Sequence, residues 1–193
     1  MKLNLPTILT LSRIAVIPVF VGFYLVNAPW AYKTCTWLFV AAAITDWLDG
    51  FLARKYNQTS RFGAFLDPVA DKLMVTVVLV LLVHHNPSRF ADIFIVFAAI
   101  IIIGREITIS ALREWMAQVG ERAKVKVSII GKYKTAFQLI ALPCMIYHEK
   151  IKGIPVVDIG FALLYCAVGL TLWSMMIYIR SAWPTLKRSA QAE

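Results

Sequence analysis

The chain has 193 residues, of which 60% are hydrophobic, and its formal net charge is +9. Its mean hydropathy is +0.70. Only about half of the residues of an ordinary soluble domain are apolar, so this excess, gathered in long runs, indicates a membrane protein. The positive charge is then explained by loops beside anionic lipid, and it does not require nucleic acid as a partner. The three cysteines are scattered without any CxxC spacing, which argues against a disulfide framework and a zinc site.

The apolar runs predict one domain, residues 1–193, with an all-α integral membrane fold of six transmembrane helices. Residues 1–18 are apolar but broken by Pro6, Arg13 and Pro18, which predicts a short interfacial helix ahead of the first span. A signal peptide is the alternative for this segment, but no clear cleavage site follows it. The spans are expected at residues 12–26, 31–54, 63–83, 93–112, 135–147 and 156–179. Polar links are expected at 55–61 and 113–134, and a polar tail after residue 180.

The distribution of basic residues predicts the orientation of these helices. If the amino terminus is cytoplasmic and each helix crosses once, four of the twenty Lys and Arg residues fall in outer links, namely Lys33, Arg89, Lys150 and Lys152. The remaining sixteen lie inside or near the inner face, as expected for cytoplasmic loops. The charged stretches would then share a cavity that opens to the cytoplasm, because charges at membrane depth must face inward.

Four aspartates stand in two pairs where the second expected span ends and the third begins. Asp46 and Asp49 are three residues apart, and Asp67 and Asp71 are four apart, so each pair shares one face of a helix. Two antiparallel helices would bring the four carboxylates together. Oxygen ligands alone suit Mg²⁺, Mn²⁺ or Ca²⁺, and two such ions are a known device for phosphoryl chemistry. An alternative is that the aspartates are helix-end caps and loop charges at a membrane surface.

The residues around these aspartates complete a longer pattern. Gly50 and Gly63 leave room for close backbone approach, and Arg54 supplies a planar donor fork that suits phosphate. With Ala53, the spacing is D-x2-D-G-x2-A-R-x8-G-x3-D-x3-D. This pattern resembles the signature of the CDP-alcohol phosphotransferase family at every fixed position.

A second, basic set follows in the chain. Arg105 lies beside Glu106, Arg113 is about two helical turns further along the same face, and Lys132 and Lys134 open the fifth span. These four basic residues are candidates to bind a substrate phosphate. The alternative is that Arg105 pairs with Glu106 or with a motif aspartate, and that the lysines only extend to the membrane interface.

Three further stretches resemble one branch of that family, the bacterial phosphatidylglycerophosphate synthases. They are N-L-P-T-I-L-T-L-S-R from Asn4, G-R-E-I-T-I-S-A-L-R-E-W from Gly104 and I-G-K-Y-K-T-A-F-Q from Ile130. The resemblance implies transfer of the phosphatidyl group of CDP-diacylglycerol to sn-glycerol 3-phosphate, with release of CMP. It also implies a homodimer in the bacterial inner (cytoplasmic) membrane, with six transmembrane helices around a cytoplasm-facing cavity.

The resemblance further implies a role for each matching residue. Asp46, Asp49, Asp67 and Asp71 would hold two Mg²⁺ or Mn²⁺ ions, and Asp71 would act as general base toward the acceptor hydroxyl. The nucleotide would lie against Asp49, Gly50, Ala53, Arg54 and Gly63. The phosphate of glycerol 3-phosphate would be bound by Arg105, Arg113, Lys132 and Lys134.

Two other functions are compatible with the sequence. Another member of the family, such as a cardiolipin or phosphatidylinositol-phosphate synthase, would differ in its acceptor alcohol. A cation transporter would also place carboxylates inside a membrane, but here the acids gather at one end of the expected bundle instead of crossing it. No Ser-His-Asp or Cys-His set suggests a covalent intermediate, so a single displacement is expected.

Overall fold

A computed structural model describes residues 5–56, 61–121 and 129–189 of the chain. Within these ranges the only β structure is an isolated bridge between Ile151 and Ile154. The predicted all-α class is therefore confirmed. The six α-helices are α1 (Leu5–Leu25), α2 (Pro29–Tyr56), α3 (Arg61–His84), α4 (Asp92–Gln118), α5 (Ile129–Ile146) and α6 (Val156–Ser189).

The amino-terminal segment differs from the prediction. The described residues contain no separate interfacial helix, because α1 continues without interruption through Arg13 and Pro18. The side chain of Arg13 is only 8% exposed and is surrounded by carboxylates from neighbouring helices. Arginine is a good helix former, and the carboxylates pair its charge inside the bundle, so Arg13 does not end the helix.

Several helices also extend beyond the predicted ends. The described parts of the expected polar link and polar tail are largely helical, since α4 reaches Gln118, α5 begins at Ile129 and α6 runs through Pro184 to Ser189. Ile109 and Met116 of α4 pack with Tyr178 and Ala182 of α6 in a small apolar cluster of their own. This contact between α4 and α6 stabilises helix where the sequence was too polar to predict it.

Among the described residues, three helices contain stretches that are long and apolar enough to cross a membrane, namely Ile8–Leu25, Asp92–Gln118 and Val156–Lys187. Large apolar side chains on the surface, among them Val80, Ile100 and Trp173, are more than half exposed. A surface of this kind belongs against lipid. The fold is therefore that of an all-α integral membrane protein.

The links 26–28, 85–91 and 147–155 gather at one end of the bundle, called here the link end. The rings of Tyr32 and His148 stack with centroids 3.8 Å apart, and His85 stacks on His148 at 5.2 Å. An ion pair of 2.8 Å joins Lys33 to Glu149. The other end, called the charged end, carries the residues of the candidate site. Between the two ends lies the main apolar core, which includes Phe20, Leu79, Ile102, Leu142 and Leu164.

Candidate active site

Three carboxylates at the charged end converge on one guanidinium. Arg13 of α1 places Nη1 at 2.6 Å from Asp46 Oδ1 of α2 and at 2.5 Å from Asp71 Oδ1 of α3. Its Nη2 lies 3.7 Å from Asp67 Oδ1, also of α3. Since Asp46 and Asp71 contact the same nitrogen, α2 and α3 bring these two acids within a few ångströms of each other.

Thr10 completes this cluster from α1. Its Oγ1 donates a hydrogen bond of 2.5 Å to Asp67 Oδ1, and its side chain is fully buried. Thr10 and Arg13 are three residues apart, so they share one face of the helix. The side chains of Asp46, Asp67 and Asp71 are 43–47% exposed, so the cluster is buried on the side of α1 and open on the side of the carboxylates.

Neither Thr10 nor Arg13 was among the candidate residues from the sequence. A single arginine in an apolar run looks like an interruption of the helix, and nothing local indicates partners 33 to 58 residues away. The signal that could have found both was the stretch N-L-P-T-I-L-T-L-S-R, which contains them.

The remaining motif residues are placed less completely. Gly63 is buried in the first turn of α3, one turn ahead of Asp67. The predicted nucleotide and metal residues of the second helix lie on the last turns of α2, and their side chains are outside the described part of the structure. They are Asp49, Gly50, Ala53 and Arg54.

A cavity of about 120 Å³ adjoins the acidic cluster. Arg13, Asp46 and Asp71 line its polar side, while the rest of its wall is largely apolar and comes from α2, α3 and α5. The apolar lining includes Phe39, Met74, Val75 and Leu139. The partly exposed carboxylates thus lie at the edge of a cavity whose remaining wall is largely apolar.

The basic residues form a second cluster around Glu106. Its Oε1 accepts a hydrogen bond from the ammonium of Lys134 on α5 and lies 3.4 Å from Arg105 Nη1. The pairing of Arg105 with Glu106, which was one expectation from the sequence, is therefore present. The idea that Lys134 extends to the membrane interface is wrong, because this side chain is only 4% exposed and its ammonium pairs with Glu106 inside the bundle. Lys132 lies on α5 as well, with its side chain outside the described part.

Helix α6 contributes two residues that sequence reasoning missed. Tyr178 accepts a hydrogen bond of 2.7 Å from Arg113 Nη2, and its ring centroid lies 5.1 Å from Arg113 Cζ and 5.5 Å from Arg105 Cζ. Ser174 Oγ lies 3.1 Å from Arg105 Nη2. Both residues fall in a run whose hydropathy predicts only a membrane span, so their polar role has no local signal.

Two pairs of adjacent residues join the acidic and basic clusters. On α3, Asp71 contacts Arg13 while Lys72 donates a hydrogen bond to Ser110 of α4. On α5, Thr135 lines the cavity beside Asp46 and Asp71, while the preceding Lys134 pairs with Glu106. The two clusters are therefore neighbours, joined through adjacent residues of α3 and of α5.

Comparison with known proteins decides the class of this site. A family model described as CDP-alcohol phosphatidyltransferase matches residues 3–173. The chain belongs to the CDP-alcohol phosphatidyltransferase family. The match includes Thr10 and Arg13 as well as the four aspartates, so both parts of the acidic cluster lie within the family's own sequence.

Three relatives in this family are similar over almost their whole length. All three are named CDP-diacylglycerol–glycerol-3-phosphate 3-phosphatidyltransferase. The protein of Pectobacterium atrosepticum is 51% identical over 183 residues, which cover 94% of this chain and 96% of the relative. That of Sodalis glossinidius is 50% identical over 184 residues, with the same coverage. That of Yersinia pestis is 49% identical over 186 residues, covering 96% of this chain and 98% of the relative.

The CDP-alcohol phosphatidyltransferase family generally depends on a divalent metal, and the donor chemistry here fits one. Three carboxylates surround one guanidinium, so their formal net charge is minus two when all three are ionised. In the described part of the chain no three His, Cys, Asp or Glu side chains form a compact metal site by themselves. The fit therefore rests on charge and on oxygen ligands, which suit Mg²⁺ or Mn²⁺.

Proposed function

We propose that the chain transfers the phosphatidyl group of CDP-diacylglycerol to sn-glycerol 3-phosphate, giving phosphatidylglycerol phosphate and CMP. The observation that carries the proposal is the contiguity of the two clusters, joined by Asp71–Lys72 and by Lys134–Thr135. An acidic cluster suited to a metal-bound pyrophosphate thus adjoins a basic cluster suited to a second, separate phosphate. The names of the three relatives support the same pair of substrates.

The reaction is a single displacement at phosphorus. The C1 oxygen of glycerol 3-phosphate forms a bond to the phosphorus that carries diacylglycerol, and the bond from that phosphorus to the CMP oxygen breaks. Asp71 accepts the hydroxyl proton. Asp46, Asp49, Asp67 and Asp71 would hold two Mg²⁺ or Mn²⁺ ions, which supply charge stabilisation for the leaving phosphate when bound.

The acceptor phosphate would be bound by Arg105, Arg113, Lys132 and Lys134. The described partners of Arg113 are a phenol and a ring face, both neutral, and among the described residues no acid forms an ion pair with it. The Nε atoms of Arg105 and Arg113 are both buried and have no hydrogen-bond partner among the described residues. Buried donors of this kind are normally satisfied, and a phosphate would satisfy them.

The nucleotide would lie against Asp49, Gly50, Ala53, Arg54 and Gly63. This assignment rests on the motif and on its position. The last turns of α2 and the first turn of α3 flank the acidic cluster. If the aspartates bind the pyrophosphate, the attached cytidine would lie against these turns. Gly63 is buried at that place.

In the membrane, the single domain of residues 1–193 would span the bilayer with all six helices and assemble as a homodimer in the bacterial inner membrane. The charged end would face the cytoplasm. Lys33, Arg89, Lys150 and Lys152 lie at the opposite end, and the other sixteen Lys and Arg residues would follow the positive-inside rule.

The test is CMP release by the purified full-length chain in detergent, with CDP-diacylglycerol, Mg²⁺ or Mn²⁺, and a panel of acceptor alcohols. Release that depends on glycerol 3-phosphate is the expected result. Release only with inositol phosphate or with phosphatidylglycerol would contradict the acceptor assignment and keep the family chemistry. No release from folded protein with any acceptor would contradict the transferase itself.

A further inference from the structure

We propose that Arg13 is the resident counter-cation of the acidic cluster and competes with a divalent ion for the same carboxylates. When the ion displaces it, the guanidinium turns toward the phosphates of the donor. The proposal rests on the metal site proposed above. It concerns the chain's own guanidinium, whose contacts with Asp46, Asp67 and Asp71 are all described.

The guanidinium of Arg13 and a divalent ion would compete for the same carboxylate oxygens. Nη1 of Arg13 lies within 2.6 Å of an oxygen of Asp46 and 2.5 Å of an oxygen of Asp71. Both are short, charge-assisted contacts that occupy oxygen lone pairs which a metal ligand must offer to the ion. A divalent ion and this guanidinium therefore draw on the same donors, and their positive charges repel at this separation.

Burial keeps Arg13 at the site whether or not it holds the carboxylates. Only 8% of the side chain is exposed, and it arises from α1, which packs on both α2 and α3. Removing a buried charge from its partners is costly unless another partner replaces them. The bidentate fork of arginine matches a phosphate, so the pyrophosphate of the donor is the partner that the chemistry supplies at this place.

The net charge of the cluster predicts whether loss of Arg13 strengthens or weakens metal binding. With all three described carboxylates ionised, Arg13 lowers their formal net charge from minus three to minus two. Without Arg13, a divalent ion meets a more negative cluster and displaces no resident cation. Loss of Arg13 should therefore strengthen metal binding, whereas loss of a residue that only supports the ligands should weaken it.

The experiment measures Mn²⁺ binding to the purified full-length protein in detergent, without substrate, by the electron paramagnetic resonance signal of unbound Mn²⁺. Arg13→Gln should bind Mn²⁺ at least roughly tenfold more tightly than the wild type. Arg89→Gln is the matched control, because it removes one positive charge at the link end, where Arg89 is paired with Asp158. It should leave the affinity unchanged.

Arg13→Lys is a second variant, which keeps the proposal testable if Arg13→Gln does not fold. It keeps the charge but cannot span two carboxylates with a planar fork, so its affinity should lie between those of the wild type and Arg13→Gln. Affinity equal to or below that of the wild type, in whichever of the two variants folds, would overturn the competition and leave the metal site standing. No Mn²⁺ binding by the wild type would overturn the metal site of the proposed function as well.

The second half of the proposal has its own measurement. At saturating Mn²⁺, Arg13→Lys should raise the KM for CDP-diacylglycerol several-fold and leave the KM for glycerol 3-phosphate within twofold of the wild type, because the fork would meet only the donor's phosphates. A change confined to glycerol 3-phosphate would contradict the proposed contact with the donor.

Discussion

Tyr178 accepts a hydrogen bond of 2.7 Å from Arg113 Nη2 across the contact between α6 and α4. The same ring lies beside Arg105, so one buried phenol orients two guanidinium groups at once. Tyr178 is 2% exposed, and it therefore has little room to move away from either of them.

Tyr178→Phe should weaken the binding of the acceptor. The change keeps the ring and removes the hydroxyl, at a cost of about 1.4 kcal/mol, or roughly tenfold in the KM for glycerol 3-phosphate, with kcat within about twofold. Tyr165→Phe is the control, because that hydroxyl donates to the Phe94 carbonyl elsewhere in the bundle. An equal rise in the KM for CDP-diacylglycerol would show that Tyr178 does not act on the acceptor alone.

Asp67→Asn should abolish turnover and weaken the response to divalent ions. The amide loses the charge of a proposed metal ligand, so the effect should exceed the roughly 10–100-fold loss seen when an outer-shell partner of a ligand is removed. The assay is CMP release over a Mn²⁺ titration. Asp158→Asn, which alters an ion pair with Arg89 at the link end, should remain active. Full activity of Asp67→Asn would exclude Asp67 as a metal ligand.

Gly160→Ala should destabilise the contact between α5 and α6. An added Cβ would lie 2.8 Å from Cys144 Cβ and 2.9 Å from the Ala141 carbonyl oxygen, so the helices would have to separate. Overpacking of this kind costs about 2 kcal/mol, which lowers the Tm of a chain of this size by about 4–8 °C. Gly169→Ala on the same helix meets no atom within 4 Å and should be neutral or slightly stabilising. Equal Tm values for the two variants would contradict the close approach.

The stability of the protein should fall at acid pH because of His148. Burial and the nearby His85 lower the pKa of His148 below its ordinary value of 6.5, and a hydrogen bond to the Ile146 carbonyl opposes the shift only in part. The folded protein therefore favours the neutral ring. The contribution of the neutral His148 ring to the free energy of unfolding is present above about pH 6.5. It is lost as the pH falls below that value, by no more than about 1.4 kcal/mol for each pH unit.

Thermal unfolding in detergent between pH 5 and pH 7.5 checks this sign. His148→Gln should flatten the dependence, since the amide does not titrate. His84→Gln, at an exposed neighbouring position, should retain the dependence of the wild type. A His148→Gln variant that loses as much stability as the wild type over this range would assign the effect to another group.

The sequence was sufficient to predict six helices and the shared face of Asp67 and Asp71, but not the helix ends. Long apolar runs predicted all six helices, and the 3- and 4-residue spacings of the aspartates predicted that Asp67 and Asp71 share a face of α3. Helix ends were missed wherever a tertiary contact outweighed local polarity. The clearest case is the end of α4, where Met116 packs against α6 in a stretch expected to be a link.

The partners of the charges could not be predicted from the sequence. Arg13 meets residues 33 and 58 positions away, and Arg105 meets Ser174, which is 69 positions away. Such pairings depend on which helices pack together, and hydropathy carries no information about that. Glu106 shows the same limit, because the sequence offered Arg105 as its neighbour while the fold added Lys134 from α5.

The stacked rings at the link end have a mechanical consequence for the far end. Tyr32 is held against His148, and Asp46 lies fourteen residues further along α2, or about 21 Å at the rise of an α-helix. If α2 pivots where Tyr32 is held, a tilt of about 5° displaces Asp46 by roughly 2 Å, close to the length of a magnesium–oxygen bond. Small rigid-body tilts of one helix are therefore large on the scale of ion coordination, and a substitution at Tyr32 or His148 can alter cation affinity without touching a carboxylate.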